Sequence, residues 1–297
     1  MNIDCMQLNK EITALLHLVD DPDTEVFETV ANRLLGYGKE IIPNLEQLWE
    51  ATEDENVQYR IEHLIHRALF TELQQELAAW GKEELPSLFK GALLLAKYRY
   101  PDLNTQTFLK QLDQMRRNIW LELNSYLTPL EQINIVNSIL YNYYKLQGHE
   151  ITERDPNLFF INHTLESKQG NAFSIGVIYL ALCELLDIPI FAVGLPRQFV
   201  IAFFDTQYSF LTPDTEPLQT IQFYIDPVNG MVYTQNDVEI YLKKIKAGHE
   251  EQFFQPLSNK AVIVRMLEEM ALTYENTQQD DKSQEMYQLI AVLKEPQ

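Results

Sequence analysis

Cysteine and histidine, two residues that often carry chemistry, are few in this 297-residue chain, which has two cysteines and six histidines. His63 and His66 lie three residues apart beside Glu62, a spacing with which a helix can present two metal ligands. No third ligand accompanies them in the sequence, so we predict no metal site and no cofactor. Cys183 lies inside the apolar run 173–186, where a free cysteine is expected to pack as a small hydrophobic residue.

Other polar residues concentrate in short segments of the central region. The first, 162–174, reads N-x-x-L-x-x-K-x-G-N-A-x-S and leads into that apolar run. The second, 193–200, reads V-G-L-P-R-Q-F-V, and the third, 224–230, reads Y-I-D-P-V-N-G. Upstream of them, 91–103 reads G-A-L-L-L-A-K-Y-R-Y-P-D-L. Each segment alone is a weak signal, but the four in this order form a specific combination.

In that order and spacing the segments resemble the SirB1-type family of transglutaminase-like proteins, whose pattern runs roughly R-x-G-x-[PC]-x-x-L, then G-x-x-L-P-G-H-F, then I-D-P-F-N-G. The resemblance covers about residues 85–293. Catalytic members of the wider superfamily place a cysteine at a helix N-terminus, where the helix dipole and a nearby histidine favour the thiolate. The histidine lies on a neighbouring strand and transfers the proton, and an aspartate on the next strand orients it.

On this chain the resemblance puts the nucleophile at Ala172, the base at Gln198 and the orienting acid at Asp226. Alanine has no nucleophilic atom, and a glutamine amide neither takes nor gives a proton near neutral pH. Only Asp226 keeps the residue type that the chemistry needs. We therefore predict that the protein is not an enzyme.

Five further residues are candidates for a cleft or ligand-binding role: Asn162, His163, Asn171, Ser174 and Arg197. Structural alternatives stay open for them. Ser174 could cap the helix start, and His163 could be a hydrogen-bonded structural histidine. Arg197 replaces the family's usual glycine and could bind an anionic group or pair with a carboxylate such as Asp226. Asp226 itself could accept hydrogen bonds from backbone N–H groups or from the Gln198 amide.

The charge balance restricts the partners. The chain has 23 basic and 43 acidic residues, a formal net charge of −20, which would repel nucleic acid. The one basic run, 243–246, is predicted to be a solvated helix face. No apolar run reaches the ~20 residues of a membrane span, so we expect no membrane contact. The two cysteines and the lack of an export signal at residues 1–5 predict a cytoplasmic protein.

The predicted fold is a mostly helical α+β class, with a transglutaminase-like (papain-like) core and a small antiparallel sheet flanked by helical segments. Residues 1–82 resemble HEAT units, because apolar residues follow D-P-D and G-x-x-x-I-P-x-L at helical spacing. Residues 83–255 form the transglutaminase-like domain, and residues 256–297 form a TPR-like helical hairpin. Within the central domain, helices are expected over 85–99, 103–122 and 128–145, and strands over 190–193, 199–204 and 221–225.

These observations predict a non-catalytic transglutaminase-like protein that binds a peptide or a protein and acts as a regulatory module. The alternative is a residual acyl-transfer or hydrolytic enzyme that uses an unmapped nucleophile. The start of the motif helix separates the two hypotheses, because Ala172 supplies no nucleophile. A protein or peptide partner is therefore expected, and the sequence leaves the oligomeric state open.

Overall fold

The protein is described by a computed structural model that covers residues 3–150, 155–205, 220–248 and 250–294, with side chains from residue 10 onwards. The chain divides into two compact units, Met1–Glu76 and Leu77–Gln297. Within the described ranges lie twelve helices and two small sheets, which confirms the predicted mostly helical α+β class. None of these helices has the length and apolar composition needed to cross a bilayer.

The first unit is built from helices α1 (Ile3–Leu16), α2 (Thr24–Leu35), α3 (Ile42–Ala51) and the first part of α4 (Glu55–Gly81). Helix α2 begins where Asp23 Oδ1 accepts a hydrogen bond from Glu25 N–H at 2.8 Å, and it ends at Gly36. The apolar faces of the helices meet in a core that includes Phe27, Leu45 and Leu64. The resemblance of this segment to HEAT units stays a prediction.

The second unit contains the helices α5 (Leu88–Lys97), α6 (Thr105–Glu122), α7 (Pro129–Asn137), α8 (Ile161–Ser167), α9 (Ala172–Glu184), α10 (Gln235–Ile245), α11 (Asn259–Asn276) and α12 (Asp280–Lys294). Helix α7 begins at a reciprocal cap, in which Thr128 Oγ1 accepts from Glu131 N–H and the Glu131 carboxylate accepts from Thr128 N–H. The helix predicted over 128–145 is observed as α7 followed directly by a π-helical turn, Ser138–Tyr143. Such turns admit an extra residue where a side chain must be redirected.

The main sheet has four antiparallel strands in the order β3 (Ile190–Val193), β4 (Val200–Phe204), β5 (Ile221–Ile225) and β6 (Val232–Tyr233). Ile201 lies opposite Ile225, so the start of β4 and the end of β5 lie at the same edge of the sheet. The three predicted strands are therefore confirmed. The sequence did not predict β6, nor the short parallel pair of β1 (Gln147–His149) and β2 (Gln169–Asn171).

Helix α9 is the central element of the second unit. Its residues from 172 to 183 are all buried, and it packs against α5, α8, β3 and β4. Helices α11 and α12 form a hairpin, and α11 packs against α5 within the same compact unit. The predicted division into 83–255 and 256–297 stays a prediction, as does the TPR-like character of the hairpin.

Candidate functional site

The candidate site begins at the first turn of α9, where the resemblance places the nucleophile. Asn171 caps this turn, and its Oδ1 accepts hydrogen bonds from the N–H groups of Phe173 (2.9 Å) and Ser174 (3.0 Å). Ser174 Oγ accepts from Asn171 N–H at 3.1 Å and donates to Leu158 O at 2.7 Å. This reciprocal cap satisfies backbone groups that water cannot reach. Ala172 is the first residue of the helix and is 6% exposed.

Two candidates for a cleft role are therefore engaged in the cap. Asn171 and Ser174 are both buried, and the hydrogen bonds support the capping alternative for Ser174. At the other end of α9, Cys183 is fully buried, and burial raises the pKa of its thiol. A buried, protonated thiol is unreactive, so the predicted core role of Cys183 is confirmed. The side chain of Cys5 lies outside the described residues.

The three motif segments meet beside α9. The rings of Phe173 and Phe199 lie 4.4 Å apart between centroids. A Cβ on Gly176 would lie 2.5 Å from Phe199 Cε1 and 3.2 Å from Pro227 Cγ, so only glycine lets the helix approach both segments this closely. Phe199 and Pro227 directly follow the two other mapped positions, Gln198 and Asp226. The fold thus brings the helix start and the two strand ends to one edge of the sheet.

Asp226 lies in a tight turn at the end of β5. Its Oδ1 accepts a hydrogen bond from Val228 N–H at 2.8 Å, and its carbonyl accepts from Gly230 N–H at 2.8 Å. Gly230 has a φ of 74°, in the left-handed region that favours glycine. The predicted acceptance of a backbone N–H is therefore observed. Within the described residues, the Gln198 amide does not donate to Asp226.

Three side chains that the sequence did not single out hold this turn in place. Tyr141, on the π-helical turn, donates its hydroxyl to Pro227 O at 2.8 Å. Asn137 Nδ2 donates to Gly230 O at 2.9 Å, and Tyr179 on α9 donates to Asn137 Oδ1 at 3.0 Å. The π-helical turn thus places the Tyr141 side chain against the turn that carries Asp226. No local pattern reveals this role, because Tyr141 and Pro227 are 86 residues apart.

The surroundings of Asp226 disfavour a negative charge on its carboxyl group. Burial, and then the charge of Glu150, raise the pKa of the Asp226 carboxyl, while the Val228 hydrogen bond opposes the shift. Burial and the Asp226 charge raise the pKa of the hydroxyls of Tyr141 and Tyr233. Within the described residues, no basic side chain forms an ion pair with Asp226. The carboxylate is thus held in an environment that disfavours its charge, and it can accept a hydrogen bond from a ligand.

The segment that carries Gln198 is held from α11. Arg265 donates to three carbonyl groups, those of Val193 (3.0 Å), Leu195 (2.9 Å) and Gln198 (3.1 Å). Burial lowers the pKa of Arg265, although its planar guanidinium still suits such a multiple contact. Arg265 was not among the predicted site residues, since it lies 67 residues from Gln198 and no local motif marks it. The Gln198 side chain itself is exposed to solvent.

Arg197 is also exposed, and its φ of 63° puts it in the left-handed region. A hydrogen bond from Tyr241 Oη to Pro196 O at 2.9 Å fixes the preceding residue. The predicted alternative, an ion pair with Asp226, is absent from the described part of the chain. The guanidinium of Arg197 therefore stands at the surface with no acidic partner among the described residues.

A histidine that is not among the predicted site residues lies beside the helix start. His149 is part of β1 and pairs with Asn171, the residue before Ala172. Its Nε2 contacts Gln169 Oε1. A Cβ on the preceding Gly148 would lie 2.3 Å from Val228 O, so β1 lies against the turn that carries Asp226. Pairing with a strand distant in sequence therefore sets the position of His149.

The remaining candidates lie on α8. Asn162 is 2% exposed, and none of the described residues donates a hydrogen bond to its Oδ1. His163 is half-buried, and its imidazole has no hydrogen-bond partner in the described part of the chain. The structural alternative of a hydrogen-bonded His163 is therefore not observed. Across the described ranges, no three His, Cys, Asp or Glu side chains come together as a metal site would require.

Comparison with known proteins gives a family match. The family model described as "Transglutaminase-like superfamily" matches residues 106–268, just over half of the chain. A "UPF0162 protein" from Xylella fastidiosa strain 9a5c is 26% identical over 227 residues, covering 72% of this chain and 74% of the relative. "Protein SirB1" from Salmonella typhimurium is 23% identical over 182 residues, covering 61% and 63% of the two chains. No solved structure matches the chain.

A third relative shows the same range of similarity. "UPF0162 protein YchA" from Escherichia coli K12 is 22% identical over 184 residues, which cover 61% of this chain and 64% of the relative. The segments that meet beside α9 all lie inside the region matched by the family model.

Proposed function

Because this chain belongs to the transglutaminase-like superfamily, and within it to the SirB1-type proteins, we propose that it binds a peptide segment at the superfamily's cleft without transferring an acyl group. Acyl transfer of that type needs an activated nucleophile at the start of the central helix. The observation that carries the proposal is Ala172, which occupies this position although the helix start keeps a complete cap. The cap at the start of the helix is present, but the side chain at the mapped nucleophile position has no reacting atom.

Neighbouring nucleophiles do not replace it. Ser174 Oγ is 0% exposed, and its hydrogen bonds to Asn171 and Leu158 hold the cap together. Cys183 lies 11 residues along α9 from Ala172, about 16 Å at the rise of an α-helix. Its thiol is buried, with a raised pKa. Gln198, at the position of the base, carries a neutral amide.

The groups at and beside the mapped positions suit binding. Gln198 and Arg197 are exposed, and their side chains form no ion pair with a described residue. A glutamine amide can both donate to and accept from a peptide backbone, and a guanidinium binds a carboxylate through two hydrogen bonds. Asp226 adds an acceptor that no described basic side chain neutralises. A peptide with a carboxylate at or near its C-terminus fits this combination of groups.

One observation favours the alternative, a hydrolytic activity without a protein nucleophile. His149 lies beside Asn171, and β1 contacts the turn of Asp226, so an imidazole and a carboxylate flank the helix start. An imidazole can activate a water molecule as a general base. Hydrolysis of a casein substrate that is lost in a His149→Ala variant would favour this alternative over binding alone.

The first experiment measures acyl transfer as incorporation of dansylcadaverine into dimethylcasein. The wild-type protein should give no more product than buffer, both before and after Cys5→Ser and Cys183→Ser replacement. Ala172→Cys combined with Gln198→His, in that cysteine-free background, should give a thiol that reacts with iodoacetamide faster than a free thiol near neutral pH. Incorporation by the wild type would contradict the loss of acyl transfer.

The second experiment measures binding. Fluorescent peptides from casein, each with a free or an amidated C-terminus, are titrated with the protein and followed by anisotropy. Arg197→Ala should weaken binding of the free carboxylate about tenfold and leave the amidated peptide unchanged. Arg99→Ala is the matched control, because Arg99 is also exposed and has no ion pair with a described residue. Absence of binding to every peptide, or equal effects of the two variants, would contradict the proposal.

A further inference from the structure

A groove of about 650 Å³ lies at the C-terminal end of α9. Its walls come from the end of α9, the strand β3, the start of α11 and the segment 84–86, all within the second unit. On α9 the groove is lined by Leu180 and Glu184, which lie about 12 and 18 Å along the helix from Ala172. It is therefore a separate site from the cleft, and it is of the size that binds ligands in proteins.

The groove is apolar inside. Leu180, Ile190 and Val262 contribute buried side chains to it. Leu85 lines its entrance and is 89% exposed, so a large hydrophobic side chain faces solvent beside the groove. Hydration of apolar surface of this kind is unfavourable, so the free energy falls when a hydrophobic group covers it.

The rim of the groove is acidic. Glu84, Glu184 and Asp187 are exposed, and their carboxylates form no ion pair with any described residue. Among the described residues that line the groove, none is basic. The C-terminus of α9 adds the partial negative charge of the helix dipole. In a chain of net charge −20, this rim has no neutralising side chain among the residues that line it.

The groove also borders an edge strand. Strand β3 ends the four-stranded sheet, and on its outer side Leu257 N–H donates to Ala192 O at 2.8 Å. The bridge between Val193 and Pro256 continues this cover toward the end of β3. Ile190, Phe191 and Ala192 of β3 line the groove together with Pro256 and Leu257, so the covering segment forms part of its wall. An extended segment laid along this side would follow the direction of the sheet edge, a common mode of peptide recognition.

We propose that this groove binds a cationic apolar segment of another protein, in which lysine or arginine residues flank large hydrophobic side chains. The hydrophobic side chains fill the groove beside Leu85, and the basic ones pair with Glu84, Glu184 and Asp187. Charge complementarity selects this partner over a second copy of the chain, because two copies of net charge −20 repel one another. The site is independent of the cleft that Ala172 marks.

The test uses a fluorescein-labelled peptide, Lys-Leu-Leu-Lys-Phe-Leu-Lys-amide, titrated with the full-length protein and followed by anisotropy. Two matched peptides replace all lysines by glutamate or all apolar residues by serine. The cationic apolar peptide should bind at least tenfold more tightly than either one. Its affinity should fall as the salt concentration rises from about 50 to about 300 mM, because exposed charges are screened.

Two variants, each with a matched control variant, locate the site. Glu84→Lys with Glu184→Lys should weaken binding at least tenfold, while Asp102→Lys with Glu122→Lys changes the net charge equally at exposed positions outside the groove and should have less than a threefold effect. Leu85→Ser should also weaken binding, whereas Leu121→Ser, a change at another exposed leucine, should not. All of the replaced residues are exposed, so folding is expected to be retained and is checked by circular dichroism.

Several results would overturn the proposal. Equal affinities for the two double variants would assign the binding to net charge alone. Tight binding of the serine-substituted peptide would show that the apolar groove does not contribute to binding. Sedimentation velocity gives a third criterion: a dimer of the wild type that Glu84→Lys with Glu184→Lys dissociates would make a second copy the occupant.

Discussion

The buried cap at the start of α9 gives the sharpest prediction from the structure. Ser174→Ala removes the hydroxyl that donates to Leu158 O and accepts from Asn171 N–H. Both backbone groups belong to residues that are at most 6% exposed, so water cannot readily replace the lost partner. An unpaired buried backbone group costs about 1–3 kcal/mol, and alanine regains about 0.5 kcal/mol through its helix propensity. We expect the free energy of unfolding to fall by about 3 kcal/mol.

The assay is thermal unfolding followed by circular dichroism, together with urea unfolding. For a unit of this size, about 3 kcal/mol corresponds to a decrease in the melting temperature of about 6–12 °C. Glu131→Ala is the matched control, because Glu131 occupies the equivalent third helical position of the exposed cap on α7. Water can hydrate the Thr128 N–H that this change frees, so the melting temperature should fall much less.

The decreases in melting temperature of the two variants show whether burial of the α9 cap contributes to stability. Equal decreases for Ser174→Ala and Glu131→Ala would show that burial of the α9 cap adds nothing, and the explanation of Ser174 as a structural residue would fail. A Ser174→Ala variant of wild-type stability that loses peptide binding would assign the hydroxyl to a ligand instead. Ser174→Gly tests for a pure helix effect, since it removes the same hydrogen bonds and lowers helix propensity further.

Three further predictions concern Cys183 on α9, the carboxyl of Asp226 and the glycine of β1. In a Cys5→Ser variant, Cys183 should resist iodoacetamide in the folded protein and react only in denaturant, because it is fully buried with a raised thiol pKa, and rapid labelling of the native protein would contradict the buried position. The folded state raises the pKa of Asp226, so this carboxyl stabilises the fold below its ordinary pKa and loses that contribution as the pH rises through the raised value. The melting temperature of Asp226→Asn should therefore rise relative to that of the wild type as the pH increases above about 4, the ordinary pKa of aspartate. A difference between the two that is constant with pH would refute the raised pKa of Asp226. Gly148→Ala should lower the melting temperature far more than Gly248→Ala, since only the first Cβ meets backbone atoms of the Asp226 turn, and similar effects would show that β1 is free to shift.

Local interactions account for the features that the sequence predicted correctly. The helix expected from residue 128, the helix that begins at Ala172 and the three strands from 190 to 225 all depend on residues close to one another in the chain. Helix caps, apolar periodicity and strand composition act within a few residues, so a sequence carries them directly. The identity of Ala172 and Gln198 is likewise a property of the sequence.

The tertiary structure decided what surrounds those positions. The contacts from Arg265 to the Gln198 segment and from Tyr141 to Pro227 join residues 67 and 86 positions apart. The π-helical turn and the pairing of His149 with Asn171 depend on such distant contacts, and for that reason no local pattern predicted them. A distant contact forms only when packing of the whole unit offsets the entropy of closing the chain between its ends. The sequence therefore determined which groups the site contains, and packing determined which of them meet, which are buried and which face solvent.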